Sequence, residues 1–293
     1  MWAILSSSKV LVTGLARDCG NHLAQEILRI EKHALEIFTA VDFFVVESDS
    51  IDNTEKVLFQ VSRNRSNFQF VSLGKLAYKI PGRIDRLRYC RNHYVNFVRQ
   101  NIAEDKPDFV MVVDFDIKNR ALNLSPLTKL MSENWWDGLF ANQKGPYYDI
   151  YALRKEGWVE DDCFKRYREL ARQMPAKKAK QEAVWSQMRR IPRDKELIEV
   201  ESAFGGLGVY RRRVFENFDY ASLNETSTGE SEHISLHKKI VDSDGRLFIV
   251  PAMTNFSYSP HNLAAYGIFR GIDLLLKARI LRGFRRMLRK LLA

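Results

Sequence analysis

Asp114 and Asp116 are spaced i, i+2 at the end of the apolar run Phe109-Val110-Met111-Val112-Val113. In extended backbone, residues two apart point to the same side. Both carboxylates can therefore present oxygens to one hard divalent cation. Unpaired, they would repel each other, and a cation carrying a diphosphate relieves that repulsion. A continuous apolar run of this length reads as a buried central strand. Open α/β sheets bind ligands at the carboxyl ends of such strands. The structural alternative is that Asp114 caps the next helix or turn and Asp116 is solvated.

Other charged groups lie on both sides of that strand. Arg83, Arg86, Arg88 and Arg91 fall within nine residues just before it. Arg88 and Arg91 are i, i+3 neighbours on one helix face, and forked guanidinium groups suit a diphosphate. A solvated basic face is the competing reading. Asp149 and Arg154 flank an apolar stretch from Tyr148 to Leu153, read as a strand, and are expected to face a site. Trp135 and Trp136 suit stacking on a sugar or packing in a core.

These groups need elements to position them. Lys9 to Thr13 reads as a first strand. A helix follows through Leu23, Ile27, Ile30 and Leu35, with Asp18 or Asn21 as its cap. Val41 to Val46 reads as a second strand, and Asp52 to Glu55 opens a second helix. Phe68 to Leu73 is a third strand, and the arginine segment leads into a helix through Tyr94, Val95 and Val98. Strand–helix alternation predicts a largely parallel sheet. No G-x-G-x-x-G follows the first strand and no P-loop is present, which disfavours dinucleotide enzymes and P-loop NTPases.

In this order the motifs resemble glycosyltransferases of the GT-A fold. The residues that carry the resemblance are Ala16-Arg17-Asp18, the segment Glu47-Ser48-Asp49-Ser50 with Asp52-Asn53-Thr54, the Arg88-x-x-Arg91-Asn92 helix, and Asp114-Phe115-Asp116. Tyr147-Tyr148-Asp149-Ile150-Tyr151-Ala152-Leu153-Arg154 is similar to a signature of the capsule-associated mannosyltransferase-like group and its bacterial and viral relatives. Tyr147 and Tyr151 stand where that group often has Phe and Trp. The likeness runs over roughly residues 9 to 262.

The resemblance implies a mixed, mostly parallel Rossmann-like sheet flanked by helices. It implies transfer of a sugar from a UDP- or GDP-sugar to a hydroxyl acceptor, with Mn²⁺ or Mg²⁺. By analogy Thr13, Ala16, Arg17, Glu47 and Asp49 surround base and ribose, and Arg88 and Arg91 approach the nucleotide or its phosphates. Asp114 lies near ribose and metal, and Asp116 ligates the metal. Glu232, then Glu230, stands where an acidic helix start supplies a general base, with Asp149 a further catalytic candidate. His261 is the expected third metal ligand; His233 and His237, i and i+4, are its rivals.

The bulk composition agrees with a globular enzyme. The chain has 293 residues, 45% hydrophobic and 12% aromatic, and a formal charge of +10. Such a charge suits an anionic partner. Three scattered cysteines make no disulfide framework or zinc spacing, so a reducing compartment is the default. Met1 to Ser6 lacks the charged start and long apolar core of a signal peptide.

Residues 1–267 read as one GT-A domain, with 155–195 a basic helical insertion. In 268–293 apolar and basic residues segregate on a helical wheel, as in a helix lying on an anionic membrane. The expected localisation is cytoplasmic, peripheral at the inner membrane face, with a glycan or lipid-linked acceptor. The basic residues concentrate in the insertion and tail and no recognition motif is visible, so nucleic acid is not an expected partner. A nucleotidyltransferase is the rival enzyme, and a nucleic-acid- or membrane-binding protein the rival outside enzymes.

Overall fold

The structure is a computed structural model that describes residues 8–100, 106–220 and 230–255. Its centre is an eight-stranded sheet in the order β3-β2-β1-β4-β7-β5-β8-β6. The strands are β1 (Lys9–Ala16), β2 (Ala40–Glu47), β3 (Phe68–Ser72), β4 (Phe109–Val113), β5 (Gly138–Asn142), β6 (Ile198–Val200), β7 (Leu207–Arg211) and β8 (Leu247–Thr254). β3, β2, β1 and β4 are mutually parallel, as are β5 and β8; β7 runs antiparallel to β4 and β5, and β6 antiparallel to β8. This is the mixed, mostly parallel, Rossmann-like arrangement expected.

β4 is buried along its whole length. Phe109, Met111 and Val113 join a cluster with Leu23, Ile27, Ile30 and Leu58 of α1 (Leu23–Ala34) and α2 (Thr54–Asn64). Val110 and Val112 join a second cluster with Tyr94, Val95, Phe215 and Leu236. Those residues come from α3 (Arg83–Gln100), α6 (Arg212–Asn217) and α7 (Glu232–Val241). Helices on both faces explain why β4 is apolar at every position rather than at every second one. Trp136 belongs to the core, fully buried with its ring stacked 5.8 Å from Phe109. Trp135 packs edge-on against Phe248 on the sheet.

Between β5 and β6 the chain forms α4 (Cys163–Leu170), α5 (Ala176–Ala183) and a 3-10 turn at Trp185–Gln187. It is tied down at several points. Tyr147 N donates to Arg189 O at 2.9 Å, Arg154 N to Ser202 O at 2.8 Å, and Trp158 Nε1 to Gln187 O at 2.7 Å.

Two local expectations change. Tyr148 to Leu153 is a turn rather than a strand: Ile150 N donates to Tyr148 O, and the Asp149 carboxylate accepts from Ala152 N. A side chain that captures nearby amides offers the backbone an alternative to the ladder. Neither Asp18 nor Asn21 caps α1; His22 precedes it without a side-chain cap. Asp18 Oδ1 instead accepts from Ile51 N at 2.8 Å.

Candidate active site

A cavity of about 1030 Å³ opens beyond the carboxyl ends of β1, β2 and β4 and is closed on its far side by the α4–α5 segment. Asp114 and Asp116 both line it. Asp114 is fixed through its backbone, whose N–H donates to Gly206 O at 3.0 Å. That carbonyl is available because Gly205 and Gly206 take φ of +69° and +85°, conformations an L side chain resists. A Cβ on Gly205 would also stand 2.7 Å from Ala141 O.

The acids are crowded. Burial, then the neighbouring Asp116 charge, pushes the Asp114 carboxyl up to about 8, with Arg91 pulling the other way. Burial also raises Asp116. Asp149 lines the same cavity, and burial raises it to about 6 although Gly205 N and Ala152 N both donate to it. A well of carboxylates that resist ionisation together is electrostatically suited to a cation. Among the described residues no group of three or more His, Cys, Asp and Glu side chains is arranged to hold a metal. A Mg²⁺-like ion needs only one or two carboxylates and completes its shell with phosphate oxygens and water.

Arg91 is the cationic counterpart, buried at 4% exposure. Its Nε donates to Glu232 Oε1 at 2.9 Å and its Nη2 lies 3.8 Å from Asp114 Oδ1. Arg88 does not line the cavity; it turns to Asp85 Oδ1 and Glu230 O. Arg83 and Arg86 do line it, with Lys118. The signal for Arg83 was present in the helical period. Residues 83, 87 and 90 share one face, whereas 88 lies on roughly the other side at 100° per residue. Lys118 follows the Asp-x-Asp strand in a loop, where no periodicity marks it.

Ala16, Arg17 and Asp49 also line the cavity, with Asp49 Oδ2 3.7 Å from Arg86 Nε. Thr13 and Glu47 do not: Thr13 Oγ1 donates to Phe44 O at 2.7 Å, and Glu47 accepts from Ser50 N and Ser72 Oγ. Their contacts shape the loop that carries Asp49. Asp18 and Asp49 have φ of 50° and 60°, left-handed values that non-glycine residues adopt at some cost and that gather at ligand sites. The β1 and β2 loops are stitched together, with Gly20 N donating to Asp52 Oδ2 and Cys19 N to Thr54 Oγ1.

Glu232, at the first position of α7, lines the cavity beside Arg91. Glu230 is not part of the lining, and its carboxylate lies 3.6 Å from Arg154 Nη2. His237 is fully buried away from the carboxylates, between Ser202 Oγ at 2.8 Å and Tyr210 Oη at 2.9 Å. His233 stacks on Phe204 at 3.9 Å and borders the cavity; its Nε2 lies 3.7 Å from Glu232 Oε1, and among the described residues neither ring nitrogen has a hydrogen-bond partner. His261 and the segment 268–293 lie outside the described residues.

No protein-family model matches the chain, and no curated protein matches it. Solved structures align with it at low identity. S. aureus TarS 1–349 aligns at 14% identity over 91% of this chain and 64% of that one, with a TM-score of 0.47. The mannosyltransferase PcManGT from Pyrobaculum calidifontis, in complex with GDP-Man and Mn²⁺, aligns at 12% identity over 96% and 68%, with a TM-score of 0.48. Glucosyl-3-phosphoglycerate synthase from Mycobacterium tuberculosis, in complex with UDP, aligns at 13% identity over 87% and 72%, with a TM-score of 0.42. The chain thus spans less than two thirds of the TarS fragment's length.

Proposed function

We infer that this protein is a nucleotide-sugar-dependent glycosyltransferase. The observation that carries the reading is one cavity lined by Asp114 and Asp116 at a buried strand end, by Arg83, Arg86, Arg91 and Lys118, and by the β1 and β2 loops. Paired carboxylates facing several cations suit a metal–diphosphate, and the loops with left-handed Asp18 and Asp49 suit a nucleoside. The motif order that resembles GT-A enzymes supports the same conclusion, and the Tyr147–Arg154 segment supports the capsule-associated group within it.

In this reading Asp114 and Asp116 would hold Mn²⁺ or Mg²⁺ with the donor diphosphate, and the ion would supply charge neutralisation for the leaving nucleoside diphosphate. Arg83 and Lys118 add fixed positive charge on the same side. Glu232 is the first candidate to take the acceptor hydroxyl proton; Arg91 orients it. Asp149, held by two backbone amides, is a candidate partner for a sugar hydroxyl. The acceptor is a glycan or lipid-linked glycan of surface polysaccharide synthesis. Segment 268–293 is the proposed contact with the inner membrane face; none of the described helices is long and apolar enough to cross a membrane.

The test is a donor screen with purified protein. UDP-, GDP-, TDP- and CMP-sugars are titrated with and without Mn²⁺, following binding by calorimetry and product release by chromatography, beside Asp116→Ala. One nucleotide is expected to bind in a metal-dependent way, at least about tenfold weaker in the variant, and to be released as the nucleoside diphosphate. In a parallel arm supplied with nucleoside triphosphate and sugar 1-phosphate, formation of nucleotide sugar with release of pyrophosphate would favour a nucleotidyltransferase instead. Absence of nucleotide binding with metal present would sink the enzyme reading.

A further inference from the structure

We propose that the α4–α5 insertion forms the acceptor half of the cavity, and that its occupant is a saccharide ring seated against Tyr151, Phe164 and Trp185 with Lys180 at the rim. This rests on the donor reading above, but its evidence lies on the other wall. At about 1030 Å³ the cavity sits at the upper end of the range for one small-molecule site, leaving room beyond a nucleotide for a second molecule.

The lining is segregated. The strand ends and α3 contribute mostly charge; the insertion contributes Phe164, Val184, Trp185 and Met188, with Lys180. The aromatic side chains are held in place. Phe164 is 38% exposed, unusual for a large apolar ring, and sits in the first turn of α4, where its N–H donates to Asp162 Oδ1 at 2.8 Å. Its ring meets Tyr151 edge-on at 4.9 Å and 75°. Trp185 carries the Lys180 ammonium 5.8 Å above its ring. The bonds from Trp158 to Gln187 and from Tyr147 to Arg189 lock the segment that bears Trp185.

Chemistry selects the occupant. A pyranose has an apolar C–H face and a rim of hydroxyls. The face matches aromatic rings, Phe164 exposed and Tyr151 and Trp185 half-buried, and the rim matches Lys180 and Asp149, which line the same cavity. An acyl chain offers no acceptor to the Lys180 ammonium, so covering that charge with it would carry a desolvation cost. Asp149 lies two residues from Tyr151, so the aromatic wall continues directly into the acidic one. A ring seated on the insertion therefore borders the side of the cavity where the donor sugar would sit.

The experiment measures both halves in the same preparations. Wild type, Trp185→Ala, Phe164→Ala and Trp185→Phe are titrated with UDP and GDP in Mn²⁺, then applied with the preferred nucleotide to an array of lipid-free oligosaccharides and to phosphatidylcholine/phosphatidylglycerol vesicles. Wild type is expected to bind lipid-free glycans. Both alanine variants are expected to lose about tenfold or more of that affinity, with nucleotide binding retained and Trp185→Phe keeping most glycan binding. Glycan binding equal in all variants, or binding to vesicles with no lipid-free glycan retained, would overturn the proposal. Wild type that binds glycan but no nucleotide would sink the donor reading, and the acceptor role with it, while upholding the saccharide seat on the insertion.

Discussion

Arg91 is the side chain on which most of the buried charge depends. Its guanidinium lies among Glu232, Asp114, the Tyr94 hydroxyl and the rings of Phe204 and Tyr220. Removing one member of a buried ion pair strands the other, at a cost of about 3–5 kcal/mol. Arg91→Ala is expected to lower unfolding free energy by that order in urea denaturation at pH 7.5. Arg91→Lys is expected to recover only part, because a single ammonium does not reproduce the fork. Arg88→Ala, outside the cavity and facing Asp85 and a backbone carbonyl, is expected to leave nucleotide affinity much closer to wild type. The pair Arg88–Arg91 looked equivalent in sequence. What separates them is the direction in which α3 presents each residue, and only the burial of Cys90, Tyr94 and Val95 on known neighbours fixes that rotation.

At the level of elements, the turn before β7 ties three parts of the site together. Gly206 O receives Asp114 N, Gly205 N donates to Asp149 Oδ2, and Gly205 O receives both Gln143 Nε2 and Asn255 Nδ2. Gly205→Ala is expected to cost about 1–2 kcal/mol from the left-handed backbone alone, plus the clash with Ala141 O. It is also expected to weaken nucleotide binding, since Asp149 and Asp114 shift with the turn; thermal unfolding and calorimetry would measure the two effects. Sequence made β4 and its carboxylates legible because five buried residues in a row have few other readings. The Tyr148–Leu153 turn was not legible, because the amides that hold Asp149 come from Ala152 and from Gly205, more than fifty residues away. The loop bonds from Asp18 to Ile51 and from Gly20 to Asp52 are equally non-local. For the same reason Asp18 read as a helix cap.

For the molecule as a whole, pH acts through buried groups of opposite tendency. Burial, and then Arg91, hold His237 down to about 3 from its usual 6.5. Between those values the unfolded chain takes a proton that the native one refuses, so this residue lowers stability as pH falls, by about 1.4 kcal/mol per unit. Asp114, raised to about 8, does the reverse: its native carboxyl keeps a proton that the unfolded chain has released, so its contribution is lost as pH rises toward 8. The two oppose each other between about pH 4 and 6.5, and wild type alone would not separate them. Urea denaturation of wild type and His237→Gln at several pH values would. The difference in slope is expected to be about 1.4 kcal/mol per unit below pH 6.5, and parallel curves would contradict the burial of a neutral imidazole.

The insertion leaves and rejoins the sheet at a shared threshold. Pro146 bridges Arg190, Tyr147 bonds Arg189, and Arg154 bridges Ser202. The chain-entropy cost of lengthening such a loop is small, about 0.6 kcal/mol for each doubling of a flexible segment, so the main demand on a replacement is to fill the places of the buried Val159, Cys163, Ala183 and Val184. Descendants of this chain could therefore exchange the stretch between Lys155 and Met188 for a longer or shorter one while β4, the Asp114–Asp116 pair and the β1–β2 loops stayed as they are. On the proposed glycosyltransferase reading, mutation in that stretch would explore new recipients for the sugar, with the proposed nucleotide site inherited unaltered.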